Sequence, residues 1–564
     1  MSIAVAAQPT VLHHFVGHVR TRADRQCLWY HTPGQPVDVE EKAVTIRTWR
    51  DIARDTAHVA AALRALGVER GDRVVFISPN RAEWIPVDLA VLALGAVHVP
   101  VHNSLAGPQM QFQIVDCGAK LVIVAGEEQA AKIAATSLPA GTGLASLDAV
   151  ASAPAGTSPR RLFEVVPPPT EAELDAFLDS AGVGTATNDL ATILYTSGTT
   201  GEPKGVMLSH GNITSNAEGI VAGFGGAQDE RRLNLLPFSH IFARTCDLYV
   251  WLIAGSEMAL ADAPQTAVEN CAEFQPRILN AVPYFYERVM RKVVEMGVAD
   301  MPDILRLAMG GAIEHCCSGG AALPDHIAKF FNDRGVLLTQ GYGLTETSPV
   351  ITMNTHLVYK HGTVGRPLEN IEVRIADDGE IVTRGPHVML GYWNRPEETA
   401  AAVVDGWFHT GDVGEIDGDG YLKITGRKKE IIVTTGGKKV APLLLEAKLT
   451  SDPLIRQAAI VGEGKDYLAA LIVPNFEGLA EALRETIGER PQAELVEQPE
   501  ARELIGRAIR ERLADLSHYE QVQRFTLVGR EFDVDHGEMT LTMKLRRKRV
   551  AENFHTEIEE MYRK

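Results

Sequence analysis

The segment Tyr195–Gly205, Tyr-Thr-Ser-Gly-Thr-Thr-Gly-Glu-Pro-Lys-Gly, has the composition of an anion-binding loop. It follows the apolar run 190–194, which is typical of a buried strand. Its glycines let amide N–H groups turn toward a ligand, its hydroxyl groups add donors and its lysine adds positive charge. Taken alone, the segment also suits a flexible surface loop. We predict a polyphosphate site formed by Thr196, Ser197, Gly198, Thr199, Thr200, Gly201 and Lys204.

Five further segments follow this loop in a fixed order, and the set resembles the signatures of the adenylate-forming superfamily. That superfamily includes acyl-CoA synthetases, luciferases and peptide-synthetase adenylation domains. Each string could occur by chance, but the ordered combination makes unrelated fold classes improbable. The segments are Ser318-Gly-Gly-Ala-Ala322, Gly341-Tyr-Gly-Leu-Thr-Glu-Thr347, Asp405-Gly-Trp-Phe-His-Thr-Gly-Asp412, Gly426-Arg-Lys-Lys-Glu430 and Thr435-Gly-Gly-Lys438.

The resemblance implies an ATP site built from several of these segments. Tyr342 offers a flat face for adenine, and Thr345 lies beside the phosphates. Asp412 can accept hydrogen bonds from both ribose hydroxyls, and Arg427 can donate to the same sugar. In isolation, such a tyrosine is more often a packing residue and such an aspartate a turn or cap. The remaining residues implied at the adenine pocket are Gly319, Gly320, Ala321, Gln340, Gly341 and Gly343.

Charge neutralisation is assigned by the same resemblance. Glu346 supplies a hard oxygen ligand suited to Mg²⁺, and Thr196 is the second protein oxygen near that ion. Lys204 and Lys544 offset the negative charge that otherwise keeps a carboxylate away from a triphosphate. Lys544 lies in a basic stretch that resembles the terminal lysine segment of long-chain acyl-CoA synthetases. The basic residues 546–549 after it suit a solvated helix or an electrostatic contact with a membrane.

The resemblance also implies two domains that change their relative orientation. Residues 1–426 would form a large N-terminal domain that binds ATP and the acyl group, and residues 427–564 a small mobile C-terminal domain. Lys429 matches the family's hinge position, where a few backbone angles can absorb a rotation. Gly436 and Gly437 match the start of the passage for coenzyme A.

The segment 236–244, Leu-Pro-Phe-Ser-His-Ile-Phe-Ala-Arg, bears on the identity of the acid. Relatives that handle amino acids commonly carry an aspartate here, whereas this chain has Ser239 and His240. His240 resembles the histidine beside the substrate carboxylate in acyl- and aryl-CoA synthetases, although a histidine among apolar residues is more often a satisfied core group. The aromatic residues Phe238, Phe242, Tyr284, Phe285 and Tyr286 could line an acyl tunnel or simply fill core.

Apolar runs that lead into helical patterns indicate an α/β fold, in which a large domain of layered sheets and helices is followed by a smaller α+β domain. The expected strands are 73–78, 97–101, 121–124, 277–282, 457–461 and 468–473, with a hairpin at 371–384. The expected helices are 84–94, a segment from Glu127, a segment through Tyr286, Val289 and Val293, 477–483 and 501–513. The Pro-rich stretch 151–170 suits an exposed connection.

Composition excludes several classes of protein. The 564 residues exceed the size of one core, and the net charge of −18 disfavours wholesale binding of nucleic acid. The six cysteines form no metal-ligand array, which argues against a zinc site or a disulfide scaffold and favours a reducing cytoplasm. The first twenty residues lack the order of a signal peptide, and we expect no membrane span.

These observations predict a ligase that uses ATP, Mg²⁺ and coenzyme A to convert a long-chain fatty acid into acyl-CoA through acyl-AMP. Two alternatives remain open from sequence. One is a ligase that loads acyl-AMP onto a carrier protein, and the other is an inactive homologue that only binds. A fatty acid partitions into membranes, so peripheral membrane contact is compatible with this prediction. Neither the acyl chain length nor the oligomeric state follows from the residues.

Overall fold

A computed structural model describes residues 9–32, 43–196, 202–226, 230–488, 490–533, 535–540 and 545–563. The strands are β1 (Gln26–His31), β2 (Val44–Thr48), β3 (Arg73–Ile77), β4 (Val97–Val101), β5 (Leu121–Val124), β6 (Gly143–Ser146), β7 (Arg160–Arg161), β8 (Leu190–Thr196), β9 (Lys204–Ser209), β10 (Arg231–Asn234), β11 (Glu257–Leu260), β12 (Ile278–Ala281), β13 (His315–Ser318), β14 (Leu337–Gly343), β15 (Val350–Met353), β16 (Arg366–Pro367), β17 (Glu372–Ile375), β18 (Glu380–Arg384), β19 (Gly391–Tyr392), β20 (Val403–Val404), β21 (Trp407–Ile416), β22 (Leu422–Arg427), β23 (Ile432–Val433), β24 (Lys439–Val440), β25 (Ile455–Val461), β26 (Leu468–Pro474) and β27 (Val522–Leu527).

The helices are α1 (Val11–Arg22), α2 (Trp49–Ala65), α3 (Trp84–Ala93), α4 (Gly107–Asp116), α5 (Glu127–Ala134), α6 (Glu171–Ser180), α7 (His210–Gly223), α8 (Ile241–Ala243), α9 (Val250–Ala254), α10 (Ala267–Phe274), α11 (Pro283–Glu295), α12 (Ile304–Ala308), α13 (Asp325–Asn332), α14 (Pro396–Ala402), α15 (Pro442–Thr450), α16 (Phe476–Ile487), α17 (Gln492–Leu495), α18 (Pro499–Arg512), α19 (Arg547–Asn553) and α20 (His555–Tyr562). Strand and helix alternate through the first three quarters of the chain, which confirms the predicted α/β class.

Two large sheets organise the N-terminal part. The first has the order β16-β15-β14-β13-β12-β10-β11-β1-β2, and its strands from β14 to β1 are parallel neighbours. The second has the order β19-β9-β8-β4-β3-β5-β6-β7, and it is parallel from β8 to β7. Its antiparallel hairpin β8–β9 carries the predicted phosphate loop between its strands. Parallel strands require crossover connections, which the helices supply.

The largest buried cluster joins both sheets through the helices between them. It includes Leu233 and Leu279 of the first sheet, Phe76 and Ile123 of the second, and side chains of α1, α2, α3, α7 and α9. Helix α3 lies in the layer of helices between the two sheets, and all of its residues from Trp84 to Leu92 are buried. A helix that is apolar on every side belongs inside such a layer.

The last part of the chain has a core of its own. Residues 468, 470 and 472 of β26 pack in one cluster with α15, α16 and α18. Residues 469, 471 and 473 of the same strand pack in a second cluster with α19 and α20. Because side chains alternate along a strand, β26 is covered on both faces, which accounts for its unbroken apolar sequence. The division of the chain at residues 426 and 427 stays a prediction.

Two expectations differ from the structure in detail. The stretch 151–170 is not wholly an exposed connection, since it holds β7 and a 3₁₀ turn in which Leu162 is fully buried. The basic run 546–549 is not uniformly solvated either. Arg547 forms ion pairs with Glu430 and Glu446, and its side chain is only 19% exposed. In the described parts of the chain, no helix is long and apolar enough to cross a membrane.

Candidate active site

The two segments predicted to hold adenine lie side by side at the carboxyl ends of two neighbouring strands of the first sheet. β13 and β14 are parallel, with Ser318 opposite Gln340. The chain leaves β13 into Gly319 and Gly320, and β14 continues through Gly341. In α/β sheets, ligands bind in the crevice beyond the carboxyl ends of the strands. The strand register therefore brings these predicted residues together at the place where such a fold binds small molecules.

Two glycines allow the backbone to pack closely here. A Cβ atom at Gly319 would lie 2.8 Å from Cζ of Phe242, and a Cβ atom at Gly343 would overlap the carbonyl oxygen of Pro349. Gly320 adopts a φ of +79°, a conformation that side chains disfavour. The Gly-rich composition of both segments thus follows from close contacts as well as from backbone conformation.

Tyr342, Asp412 and Arg427 form a hydrogen-bonded triad. The Tyr342 hydroxyl donates to Oδ2 of Asp412 at 2.7 Å, and Nε of Arg427 donates to Oδ1 at 2.8 Å. Asp412 and Arg427 are opposite each other on the antiparallel strands β21 and β22. Burial, reinforced by the negative charge of Asp412, raises the pKa of Tyr342, so its hydroxyl remains a neutral donor. Each carboxylate oxygen can still accept a further bond from a ligand.

Lys204, Tyr392 and Glu346 form a second connected group. The Lys204 ammonium lies 5.2 Å from the centre of the Tyr392 ring, and the Tyr392 hydroxyl donates to Glu346 at 2.9 Å. Burial and the nearby Glu346 raise the pKa of Tyr392. Lys204 is also opposite Thr196 in the β8–β9 hairpin. The structure thus links the predicted phosphate lysine, through one tyrosine, to the predicted magnesium ligand.

A carboxylate not anticipated from sequence pairs with Lys204. Glu398 of α14 forms an ion pair with the ammonium, and the two side chains are 39% and 21% exposed respectively. A triphosphate would compete with Glu398 for this lysine. Nothing in the local sequence of α14 distinguishes this glutamate from its exposed neighbour Glu397, so sequence reasoning could not have found the pair.

His240 lies where the chain turns into α8. Its Nδ1 accepts a hydrogen bond from the backbone N–H of Phe242 at 3.2 Å, which caps the helix. The residue lines the same cavity as Gly319 and Tyr342. A histidine that caps a helix and also borders a cavity can present its second ring nitrogen to a ligand.

A buried ionic cluster fixes the segment that carries His240. Arg244 is fully buried and donates to Asp88 at 2.5 Å and to the Thr192 hydroxyl at 2.7 Å. His98 also contacts Asp88, and burial lowers the pKa of His98 to about 4. The cluster therefore holds the segment between β10 and β11 of the first sheet against α3, β4 and β8. The sequence does indicate that Asp88 needs a buried partner, because this aspartate lies inside an otherwise apolar helix.

One cavity of about 400 Å³ extends from these residues into the protein. Ser318, Gly319, Tyr342, Thr345 and His240 border one end, and Phe242 and other apolar side chains continue the wall. Of the aromatic residues proposed for a tunnel, Phe242 borders the cavity. Phe238, Phe285 and Tyr286 are buried in the core, and Tyr284 is 38% exposed.

Some predicted residues that the structure describes do not border this cavity, among them Thr196, Lys204, Glu346, Asp412 and Arg427. Ser197, Gly198, Thr199, Thr200, Gly201 and Lys544 fall outside the described residues. Ala321 and Gln340 are close in sequence to the cavity residues but do not border the cavity. Lys429 lies in a 3₁₀ turn directly after β22, and its role as a hinge stays a prediction. Gly436 and Gly437 form the turn between β23 and β24, where Gly437 has a φ of +70°.

Comparison with protein families gives two matches along the chain. The family model described as AMP-binding enzyme matches residues 18–393. The model described as AMP-binding enzyme C-terminal domain matches residues 429–564. Together the two models span both the sheets around the cavity and the small core near the end of the chain.

Curated relatives and solved structures agree with these matches. A long-chain-fatty-acid–CoA ligase, FadD15 of Mycobacterium bovis, is 34% identical over 92% of this chain and 93% of its own length. A feruloyl-CoA synthase of an Amycolatopsis species is 33% identical over 74% and 81%. The anthranilate CoA ligase AuaEII has a similar fold, with a TM-score of 0.75 at 20% identity and 97% coverage of both chains. MatB of Rhodopseudomonas palustris gives a TM-score of 0.71 at 23% identity, covering 97% of this chain and 99% of its own.

Proposed function

Because the chain belongs to the AMP-binding enzyme family and is an ATP-dependent acid–CoA ligase, we propose that its acid is a long-chain fatty acid. Relatives in this family act on different acids, as the names feruloyl-CoA synthase and anthranilate CoA ligase state. The observation that carries our choice is that one cavity is lined both by residues of the predicted adenine segments and by apolar side chains. An acyl chain gains about 0.8 kcal/mol for each methylene buried against such a wall.

In the first half-reaction, a carboxylate oxygen attacks the α-phosphate of ATP, giving acyl-AMP and pyrophosphate. We assign the ribose to Asp412, which Tyr342 and Arg427 hold in place. His240, at the junction of the nucleotide end and the apolar end, would orient the carboxylate. Lys204, together with Lys544, would offset the negative charge that builds up when acid and triphosphate meet.

Magnesium would be held by Glu346 and Thr196. Among the described residues, the Glu346 carboxylate accepts one hydrogen bond, from Tyr392. Its other oxygen is therefore available to a hard cation, and the donor set fits Mg²⁺. When bound, the ion would neutralise phosphate charge and orient the leaving pyrophosphate.

In the second half-reaction, the thiol of coenzyme A attacks the acyl carbon, and AMP leaves as the acyl thioester forms. We assign the approach of coenzyme A to Gly436 and Gly437 and the change of domain orientation to Lys429. These three residues lie in the turns that follow β22 and β23, outside the cavity wall.

The test is a panel of acids from acetate to very long chains, with aryl acids and amino acids included. Each acid is mixed with ATP, Mg²⁺ and coenzyme A, and pyrophosphate release and thioester formation are measured together. We expect the highest kcat/KM for thioester formation with long-chain fatty acids. Accumulation of acyl-AMP without thioester would point to a carrier-protein acceptor. A lack of acid-dependent pyrophosphate release across the panel would point to a binding homologue.

A further inference from the structure

The lining of the cavity includes a group of polar residues as well as apolar side chains. Glu230 comes directly before β10, Arg277 directly before β12, and Glu314 directly before His315 at the start of β13. These strands are parallel neighbours, so their amino ends meet at one edge of the sheet. All four side chains border the same cavity as Gly319, which lies past the opposite ends of the strands. We call Glu230, Arg277, Glu314 and His315 the polar end.

Two groups in the polar end have no hydrogen-bond partner among the described residues. Glu230 is only 7% exposed, and no described donor contacts its carboxylate. Nδ1 of His315 is buried and also lacks a partner. By contrast, Glu314 accepts a hydrogen bond from Arg277 at 2.6 Å. One ligand atom from each of Glu230, Glu314 and His315 lies within 4.8 Å of the other two. Buried polar groups are normally paired, so the unpartnered Nδ1 of His315, with the Glu230 carboxylate beside it, indicates a missing ligand.

The charges of the polar end favour a neutral ligand group over a cation. Two carboxylates, Glu230 and Glu314, are balanced by Arg277 and by the buried Arg232, which also borders the cavity. Burial lowers the pKa of His315, so its ring is neutral at physiological pH. A metal ion or an ammonium group would add uncompensated positive charge. A hydroxyl group can donate to Glu230 and accept from His315 in its Nδ1–H tautomer.

The depth of the cavity sets the position of that hydroxyl. Gly319 is four positions after His315 in the sequence, which at about 3.3 Å per strand residue corresponds to roughly 13 Å. An extended chain spans about 1.2 Å per bond, as three backbone bonds cover up to about 3.6 Å. An acyl chain whose carboxylate lies beside Gly319 and His240 therefore reaches the polar end after about ten bonds.

We propose that this ligase prefers fatty acids carrying a hydroxyl group about ten carbons from the carboxyl, which Glu230 and His315 bind. The inference depends on the proposed function, because it requires the acyl chain to occupy this cavity. The outer rim, where Arg277 and His356 are exposed, leaves a route for a longer chain to continue to the surface. A terminal hydroxyl on a ten-carbon acid and an internal hydroxyl on a longer acid both supply the same group.

The test compares kcat/KM for acyl-CoA formation by the full-length enzyme between paired acids. The pairs are 10-hydroxyoctadecanoate with octadecanoate and 10-hydroxydecanoate with decanoate. We expect the hydroxylated acid to be favoured roughly 10- to 100-fold, the scale of a hydrogen bond to a charged acceptor. 17-Hydroxyoctadecanoate, whose hydroxyl would lie beyond the polar end, should show no preference. The ten-carbon pair and the longer pair distinguish a terminal from an internal hydroxyl.

Two variants test the assignment. Glu230→Leu should reduce the preference to within about threefold of unity, since the charged acceptor is lost. His315→Phe keeps a ring beside His356 and should reduce the preference by roughly three- to tenfold, the scale of a neutral hydrogen bond. Glu295→Leu, at a half-exposed position on α11, is the matched control and should leave the ratio unchanged. Because the readout is a ratio within each variant, a general loss of activity cancels.

The outcomes separate this inference from the proposed function. Conversion of octadecanoate with no preference for 10-hydroxyoctadecanoate would overturn the inference and leave the proposed function standing. A preference that survives both Glu230→Leu and His315→Phe would overturn the assignment to the polar end. Failure to form a thioester from any fatty acid would overturn the proposed function itself.

Discussion

Arg456 of β25 forms an ion pair with Glu287 of α11, and thereby joins the small C-terminal core to the large sheet domain. The Arg456 side chain is 13% exposed and also lies 6.0 Å from the ring centre of Tyr284. A partly buried pair of this kind contributes more than an exposed one. It therefore stabilises the relative orientation of the two parts of the chain that this structure shows.

Arg456→Ala should change the balance between the two half-reactions. The half-reaction that uses this orientation should slow by about 5- to 30-fold, as expected for a loss of one to two kcal/mol, while the other is spared. Single-turnover measurement of acyl-AMP formation and of thioester formation from supplied acyl-AMP checks this. Lys448→Ala, which breaks a pair with Asp515 inside the small domain, is the control. Equal slowing of both steps by Arg456→Ala would show that the pair does not select an orientation.

Lys544 and Lys429 should affect opposite half-reactions. Lys544→Ala should reduce acyl-AMP formation by roughly 100- to 1,000-fold, the scale for one preorganised charge-stabilising donor, and largely spare thioester formation from supplied acyl-AMP. Lys429→Pro restricts φ in the turn after β22 and should keep more of the first step than of the second. Both steps are measured separately in each variant. Parallel losses in both variants would leave the hinge assignment without support.

Asp412→Ala should weaken the use of ATP far more than that of the fatty acid. The change removes the acceptor shared by Tyr342 and Arg427, so the KM for ATP should rise by about 10- to 100-fold. The KM for the acid should change by less than about threefold. Tyr342→Phe, which removes one of the two donors that orient Asp412, should have a smaller effect in the same direction. A folded Asp412→Ala enzyme with normal KM and kcat for ATP would remove the ribose assignment.

Glu398→Gln should tighten the binding of ATP. The ion pair with Lys204 occupies the ammonium that we assign to phosphate, and its removal should lower the dissociation constant for ATP by about 2- to 10-fold. The gain should shrink as salt is raised, because both side chains are partly exposed. Glu397→Gln, one residue earlier on the same helix, is the matched control. Titration of ATP at two salt concentrations checks the prediction, and weaker binding in Glu398→Gln would contradict it.

Acid should lower the free energy of unfolding through buried histidines, and His387 is the example considered. Burial lowers the pKa of His387 to about 3, from about 6.5 in the unfolded chain. The unfolded state therefore binds the extra proton first, and stability falls as pH drops below about 6.5, by up to about 1.4 kcal/mol per pH unit. His387→Gln should flatten this slope in urea unfolding between pH 6.5 and 4.5. The exposed His518→Gln should leave the slope as it is, and an unchanged slope in His387→Gln would contradict the assignment.

Local order was predictable from sequence, and long-range pairing was not. The strands Arg73–Ile77 and Val97–Val101 and the intervening helix from Trp84 lie where apolar runs and turn residues predicted them. The family resemblance implied that segments 318–322 and 341–347 share one ATP site, but the pairing of the strands before them, β13 and β14, was not predicted. The contact between Asp88 and Arg244, 156 residues apart, has no local signal that names the partner. A pattern reports which side chain is buried, whereas the identity of its neighbour depends on the whole fold.

The polar end illustrates the same limit within the site. Glu230, Arg277 and His315 each lie at or directly before the start of a strand, where charged and polar residues are common and indicate no function. Their convergence depends on the parallel order β10, β12 and β13. The residues at the opposite ends of the strands were recognisable because a nucleotide demands glycines and specific polar groups there. Binding of an acyl chain does not require particular residues in this way, since apolar area alone can hold a chain.

The anchoring of Arg244 limits how the acid specificity of this protein could be redesigned. The segment after His240 forms a wall of the cavity, and it would be the first candidate for exchange with a homologue. Behind that wall, Arg244 is bound to Asp88 of α3 and to Thr192 of β8 in the other large sheet. An exchange that removes the arginine leaves the buried carboxylate of Asp88 without its cationic partner, and breaking a buried ion pair in this way typically costs about 3–5 kcal/mol. A chimera would therefore need all three positions to be transferred together, although they are far apart in the gene.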